Sequence, residues 1–186
     1  MTSIIKVNEI QDAGGNTILS SNGTGTFTSN LPSAVNTPAF EATLSANQSV
    51  SGNAWTKVQF NTETFDTNNC YDNSTNYRFT PTSSGKYFIY CTIYFLFTSG
   101  RDILLQARIL KNGSDTNGTL ERQNRIKTDD ILSTTTHNIV NMNGSTDYLE
   151  CYAFQYDYVG GASYNLRGNS SGRYFCNFGA YKLIGA

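Results

Sequence analysis

The chain has 186 residues, with 13 basic and 14 acidic side chains and a formal net charge of −1 at pH 7. That length suits one globular domain with a short appendage, able to bury roughly two thirds of its unfolded surface without metal or disulfide staples. A balance so near zero leaves no electrostatic footprint for nucleic acid or an anionic membrane, and Asn, Ser, Thr and Gly take the place of charge, as in turn-rich all-β surface proteins.

Residues 1–37 differ in character from the rest of the chain. Ser3 to Ile10 has short strand character, after which Gly14-Gly15, Asn22-Gly23 and Gly25 punctuate a run of small polar residues. Such a segment holds too little apolar content to fold alone. It is expected to be an attachment arm in which Ile4, Ile5, Val7, Ile10, Ile18, Leu19 and Phe27 order against other copies or a docking partner. Leu31-Pro32 to Thr37-Pro38 reads as a linker, so residues 38–186 form the globular head.

The head opens with an alternating strand from Ala39 to Leu44 and continues through a Ser/Asn loop to Ala54–Phe60. From Lys86 to Phe97 the run is apolar apart from Lys86 and Thr92, too β-rich for a helix and too short to span a bilayer as one. Strand parity points Tyr87, Ile89, Cys91, Ile93, Phe95 and Phe97 one way and Phe88, Tyr90, Thr92, Tyr94 and Leu96 the other. A strand apolar on both sides needs two covers: its own core, and something else, most simply another copy of the chain.

Ile103, Leu105, Ala107 and Ile109 then alternate with Leu104, Gln106, Arg108 and Leu110, and the stretch ends at Asn112-Gly113, a strong hairpin signal. Ser133–Asn138 is a polar strand. From Asp147 to Tyr158 the small face Leu149, Cys151, Ala153 alternates with Tyr148, Tyr152, Phe154, Tyr156 and Tyr158; the small face is assigned to the core. The expected trimer interface is therefore Phe88, Tyr90, Tyr94, Tyr148, Tyr152 and Phe154. Frequent turns and no sustained helical period give an all-β two-sheet sandwich.

The chemistry-bearing residues are sparse. The lone histidine, His137, sits among threonines, no Ser or Cys stands in a nucleophile phrase, and no carboxylate pair is flanked as in a sugar cleft, so no catalytic residue is assigned and the protein is read as a non-enzyme. Cys70, Cys91, Cys151 and Cys176 lack CxxC spacing and are expected as reduced, buried thiols rather than a zinc site or a disulfide. Seven Asn-x-Ser/Thr sequons occur, at Asn22, Asn47, Asn73, Asn112, Asn117, Asn143 and Asn169. With no basic-then-apolar start resembling a signal peptide, they are read as turn composition. Asp66, Asn68, Asn69 and Asp72 share a loop and Asp129-Asp130 form a pair. Hard oxygens of this kind suit calcium, and equally suit turns that accept backbone N–H groups. No metal or other cofactor is assigned.

For recognition, the loop from Gln155 to Asn165 stands out. Tyr156, Tyr158 and Tyr164 offer rigid amphipathic area that can stack on sugar rings, Gly160-Gly161 lets the loop shape itself, and Asp157 and Arg167 add charge. Closure of a subunit interface is the competing role for Tyr156 and Tyr158.

Phe40 and Ala42, then Val58, Phe60 and Asn61, then Asn69, Tyr71 and Asp72, then Phe79 and Pro81, then Gly85, Tyr87 and Ile89 resemble, in order and spacing, the globular head of complement component 1q, a branch of the tumour necrosis factor superfamily. Ile109 with Lys111-Asn112-Gly113 resembles that family's strand-ending turn. Met142, Gly144, Asp147 and Leu149 resemble its next hairpin, loosened by Ser145-Thr146, and Phe175 to Ile184 its closing strand. The resemblance covers roughly residues 38–184. It implies a ten-strand jelly roll, a compact homotrimer with central-strand aromatics along the threefold axis, and a calcium site for which Asp72 occupies the matching position.

Ser3 to Asn16 resembles the N-terminal phrase of tailed-bacteriophage structural proteins. Joined to the head, it implies a virion protein made in the host cytoplasm and not secreted. The expectation is a fibre or spike knob, attached to other virion proteins through Ile4, Ile5, Val7 and Ile10, that binds a host-surface glycan or protein. A capsid-decorating or cement protein is the alternative. No nucleic acid and no membrane insertion are expected.

Overall fold

The apolar run from Lys86, expected as a strand covered on both sides, forms one unbroken strand, Gly85–Leu96. In the computed structural model, which describes residues 7–29, 36–96, 102–114, 122–126, 132–160, 163–169 and 172–184, its inward side chains Tyr87, Ile89, Cys91, Ile93 and Phe95 are buried and the alternate ones half-buried. The expectations for Ile4, Ile5, Phe97, Asn117 and Asp129-Asp130 lie outside the described residues. The chain divides into two compact units, Met1–Val35 and Asn36–Ala186.

The first unit holds β1 (Glu9–Gln11), β2 (Thr17–Ser21) and β3 (Phe27–Ser29) in an antiparallel meander. The second contains β4 (Ala39–Thr43), β5 (Gln48–Val50), β6 (Thr56–Lys57), β7 (Thr62–Asp66), β8 (Tyr71–Asp72), β9 (Arg78–Phe79), β10 (Gly85–Leu96), β11 (Ile103–Lys111), β12 (Arg122–Ile126), β13 (Leu132–Met142), β14 (Leu149–Asp157), β15 (Tyr164–Leu166) and β16 (Asn177–Lys182). No helix is present among the described residues.

β10 is central to a seven-stranded sheet. β13 runs antiparallel along one side of it; on the other side β16, β4 and β7 follow its first half, and β15 and β5 its end. The second sheet has six strands, ordered β12-β11-β14-β9-β8 with β6 also on β14. This is the jelly-roll sandwich expected. Its strands are cut more finely than ten because β5, β6, β8, β9 and β15 are two- and three-residue pieces.

Between the sheets lies an aromatic core. The Phe40 ring stacks on Tyr71 at 4.5 Å and Phe79 at 4.6 Å and meets Phe178 edge-on at 5.1 Å, arrangements that add to the burial of large apolar area. Leu149, Cys151 and Ala153 face this core with no exposure, as their parity requires. The Asn112-Gly113 turn is also as expected, with φ of 54° and 71° at its centre, values that favour Asn and Gly. Among the described residues it closes Lys111 onto Ser114, and β12 pairs with β11 from Ala107 opposite Arg122.

The cysteine expectation is corrected in part. Cys91 of β10 and Cys151 of β14 form a disulfide between the two sheets, while Cys70 and Cys176 are free and buried. Both bonded residues are legible as core-facing, but which core positions oppose each other depends on how the sheets stack.

Of the six sequon asparagines among the described residues, five have side chains engaged within the chain. Asn22 accepts from the N–H groups of Thr24 and Thr26, Asn143 from those of Ser145, Thr146 and Asp147, Asn112 from Tyr148 and Asn47 from Gly168, while Asn169 donates to Thr43. For Asn22 and Asn143 this is the turn role their composition suggested, whereas Asn47, Asn112 and Asn169 tie segments remote in sequence.

Because the disulfide joins positions 60 residues apart, its loss frees a long loop in the unfolded chain, worth about 4 kcal/mol on the loop-entropy account. Replacing both Cys91 and Cys151 by Ala should lower the denaturation midpoint strongly, and reductant should lower that of the wild type while leaving the variant unmoved. A wild-type midpoint indifferent to reductant would contradict the bond.

Candidate functional site

The outward face of β10 is extended on both sides by its neighbours. Register places Ile139, Phe88 and Tyr181 in one row across β13, β10 and β16, then His137, Tyr90, Gly179 and Glu41 in the next, then Thr135, Thr92 and Asn177. The Phe88 ring lies 5.4 Å from Tyr181 and 5.9 Å from His137, with Ile139 54% exposed beside it. Phe88 and Tyr90, both expected at an interface, thus sit on one aromatic surface, and Tyr94 continues it along the strand.

Tyr90 is held flat. Its hydroxyl donates to Glu41 Oε2 at 2.7 Å, and its ring passes over Gly179 so closely that a Cβ there would stand 2.4 Å from ring atoms. Burial, with the hydrogen bond to Glu41 next, pushes the Tyr90 phenol well above its ordinary range. Further along, Tyr94 meets Phe175 at 5.2 Å, and the Arg167 guanidinium covers Phe175 at 3.9 Å. Arg167, expected as a recognition residue beside the tyrosine loop, belongs instead to this stack.

The remaining three expected interface residues do not join this surface. Tyr148, Tyr152 and Phe154 lie on or beside β14 in the second sheet and face out of the opposite side of the sandwich. There Phe154 packs on Trp55 at 5.3 Å, Trp55 is covered by Arg108 at 4.0 Å, and Arg78 covers Tyr148 at 4.5 Å. The Tyr152 hydroxyl donates to Glu150, which also pairs with Lys57, and burial followed by Glu150 pushes the Tyr152 phenol up to about 12. Parity gave the correct inner and outer faces; it carries no information on which sheet a strand joins.

The recognition loop is divided as well. Tyr156 and Tyr158 meet edge-on at 4.7 Å and remain exposed, Tyr158 by 49%, with Val159 beyond them. Asp157 and Tyr164, expected as contacts, are buried supports: Asp157 accepts the Tyr164 hydroxyl at 3.0 Å and the backbone N–H groups of Val159 and Gly160. The alternation that exposes Tyr156 and Tyr158 turns the intervening carboxylate inward.

Glu41, Ile139, Gly179 and Tyr181 belong to the surface without having been expected there. The alternation Phe178 and Ala180 against Gly179 and Tyr181 carried the signal for two of them. Ile139 and Glu41 enter only through pairing between strands remote in sequence.

The geometry offers little for catalysis. His137 faces aromatic rings, and the buried Cys176 thiol is pushed up to about 11 by desolvation, away from the thiolate a nucleophile needs. Nor does Asp72 fit calcium. Its Oδ1 accepts from Ser74 N, Ser74 Oγ and Thr75 N, and its Oδ2 from Asn76 N and Nδ2. Asp66 is likewise occupied by the N–H groups of Asn68 and Tyr71. Both carboxylates close turns, the other role open to them from sequence.

No family model and no curated protein matches the chain. Solved structures do. Eiger TNF from S. frugiperda matches with a TM-score of 0.54 at 15% identity over 80% of this chain and 93% of that one. Murine APRIL matches at 0.55 and 12% over 78% and 98%, and the globular domain of zebrafish complement 1qA at 0.50 and 17% over 79% and 97%. At these identities the likeness establishes the fold, a jelly roll of the tumour necrosis factor and complement 1q type.

The backbone bonds to Asp72, above all that from Thr75, hold its carboxyl well below the ordinary 3.8. A folded-state pKa depressed in this way adds stability that is present above the unfolded value and lost as pH falls toward the folded one. Asp72→Ala should cost about 1–2 kcal/mol at pH 7, and thermal melts should show the gap to wild type narrowing below pH ~3.8. An equal gap at pH 7 and pH 3 would rule out the carboxylate as its source.

Proposed function

We propose that the protein is a non-enzymatic, homotrimeric binding head, the knob of a bacteriophage fibre or spike, that assembles through the outward face of the β10 sheet and contacts the host surface with Tyr156 and Tyr158. The observation that carries this reading is the aromatic surface of Phe88, Tyr90 and Tyr181 on the outside of the central sheet, with Ile139 at its side and Tyr94 beyond the Thr92 row. Apolar surface of that kind on a soluble chain marks an interface, and a copy of the same chain offers a matching one.

Tyr156 and Tyr158 stand apart from that surface, at the end of a second-sheet strand, where they remain accessible to a partner. Their edge-on pair suits the flat face of a sugar ring with polar groups at its rim. Three such sites on one head, repeated around a particle, raise effective affinity about a hundredfold or more without better single contacts. The virion setting rests on the likeness of residues 3–16 to phage structural proteins.

Two experiments test this. Tyr90→Asp with Tyr94→Asp should convert the trimer to a folded monomer in sedimentation, with the far-ultraviolet spectrum unchanged. A trimer that survives both changes removes the assembly surface. Tyr156→Ala with Tyr158→Ala should leave mass and melting temperature unchanged while abolishing adsorption of the head to host cells and its competition with infection. Full adsorption by that variant would displace the site, and a wild-type head that never adsorbs but stabilises capsids would mark a cement protein instead.

A further inference from the structure

The arm's meander is amphipathic. Ile10 stands opposite Leu19 and Phe27 opposite Ser21, and because Leu19 and Ser21 share a side of β2, Ile10, Leu19 and Phe27 occupy one face. The other face carries the polar row Glu9, Ser20 and Thr28, with Gln11 and Thr17 both donating to the Glu9 carboxylate, and Ile18 sits unpaired at the bulge between the Ile10 and Gln11 pairings. The apolar face carries no charge, and Phe27 is 70% exposed and Ile10 44%.

A one-layer sheet with an apolar face needs a second layer to bury it. Three strands of three to five residues are also marginal without one. We infer that this second layer is the same segment of sister chains: three arms pack their Ile10, Leu19 and Phe27 faces together around one axis and form a stalk. The inference rests on the head trimer proposed above. Within such a trimer each arm is tethered to two others at an effective concentration in the millimolar range, so a sister arm is the apolar surface nearest to hand. It also reassigns Ile10, expected from sequence to touch other virion proteins, to contacts between copies.

Hydrogen exchange on the purified full-length chain, read alongside its sedimentation mass, tests this. In the trimer, the amides of residues 9–11 and 17–21 should exchange at least about tenfold more slowly than in the monomeric Tyr90→Asp, Tyr94→Asp chain. Phe27→Asp should remove that protection and leave the trimer mass unchanged. A trimer whose arm amides exchange as fast as the monomer's overturns the stalk and leaves the head reading intact. A wild-type chain that sediments as a monomer overturns both. Protection that arises only in assembled particles overturns self-pairing in favour of a docking partner.

Discussion

The structure depends on one strand having to be covered twice. β10 places Tyr87, Ile89, Cys91, Ile93 and Phe95 in the core and Phe88, Tyr90 and Tyr94 outside it. The inner set requires an opposing sheet, which β14 and β11 supply and the Cys91–Cys151 bond ties to it. The outer set leaves half-buried aromatic side chains on the outside of the sandwich. Flanking strands add to that outer face rather than relieve it, since register aligns Tyr181 and Ile139 with Phe88.

Polar residues do the complementary work at the turns. Asp72, Asp147, Asn112 and Asn143 each bind backbone groups of the turns they shape or of a neighbouring strand. A chain rich in Asn, Ser and Thr can therefore satisfy sharp reversals from its own side chains. The same economy engages the carboxylates of Asp66 and Asp72, which accept the backbone N–H groups of their own turns.

Legibility followed the range of each interaction. Alternation is local, so the core faces of β10 and β14 could be read from sequence, as could the two-sided alternation of β11 and the turn at Asn112-Gly113. The two-sheet architecture followed from the same patterns. Sheet membership is not local, and that is why parity groups Tyr148, Tyr152 and Phe154 with Phe88, Tyr90 and Tyr94 although they face out of the other side of the sandwich. The Cys91–Cys151 pairing is hidden from the sequence for the same reason. Within the tyrosine loop, residue type suggested contact for Asp157, Tyr164 and Arg167, whereas parity and stacking made them supports.

Tyr90 and Gly179 form a pair whose members cannot change independently. The ring reaches Glu41 only because the neighbouring strand has no side chain beneath it, and a single methyl would occupy the same space. The two positions are thus bound by epistasis: a larger residue at 179 is admissible only after the ring at 90 has shrunk, and that order of change first opens a hollow in the outward face. A lineage that needs the surface intact at every generation has no single-step route away from this pair, so this outward face should drift more slowly than the exposed Tyr156 and Tyr158 of the second sheet.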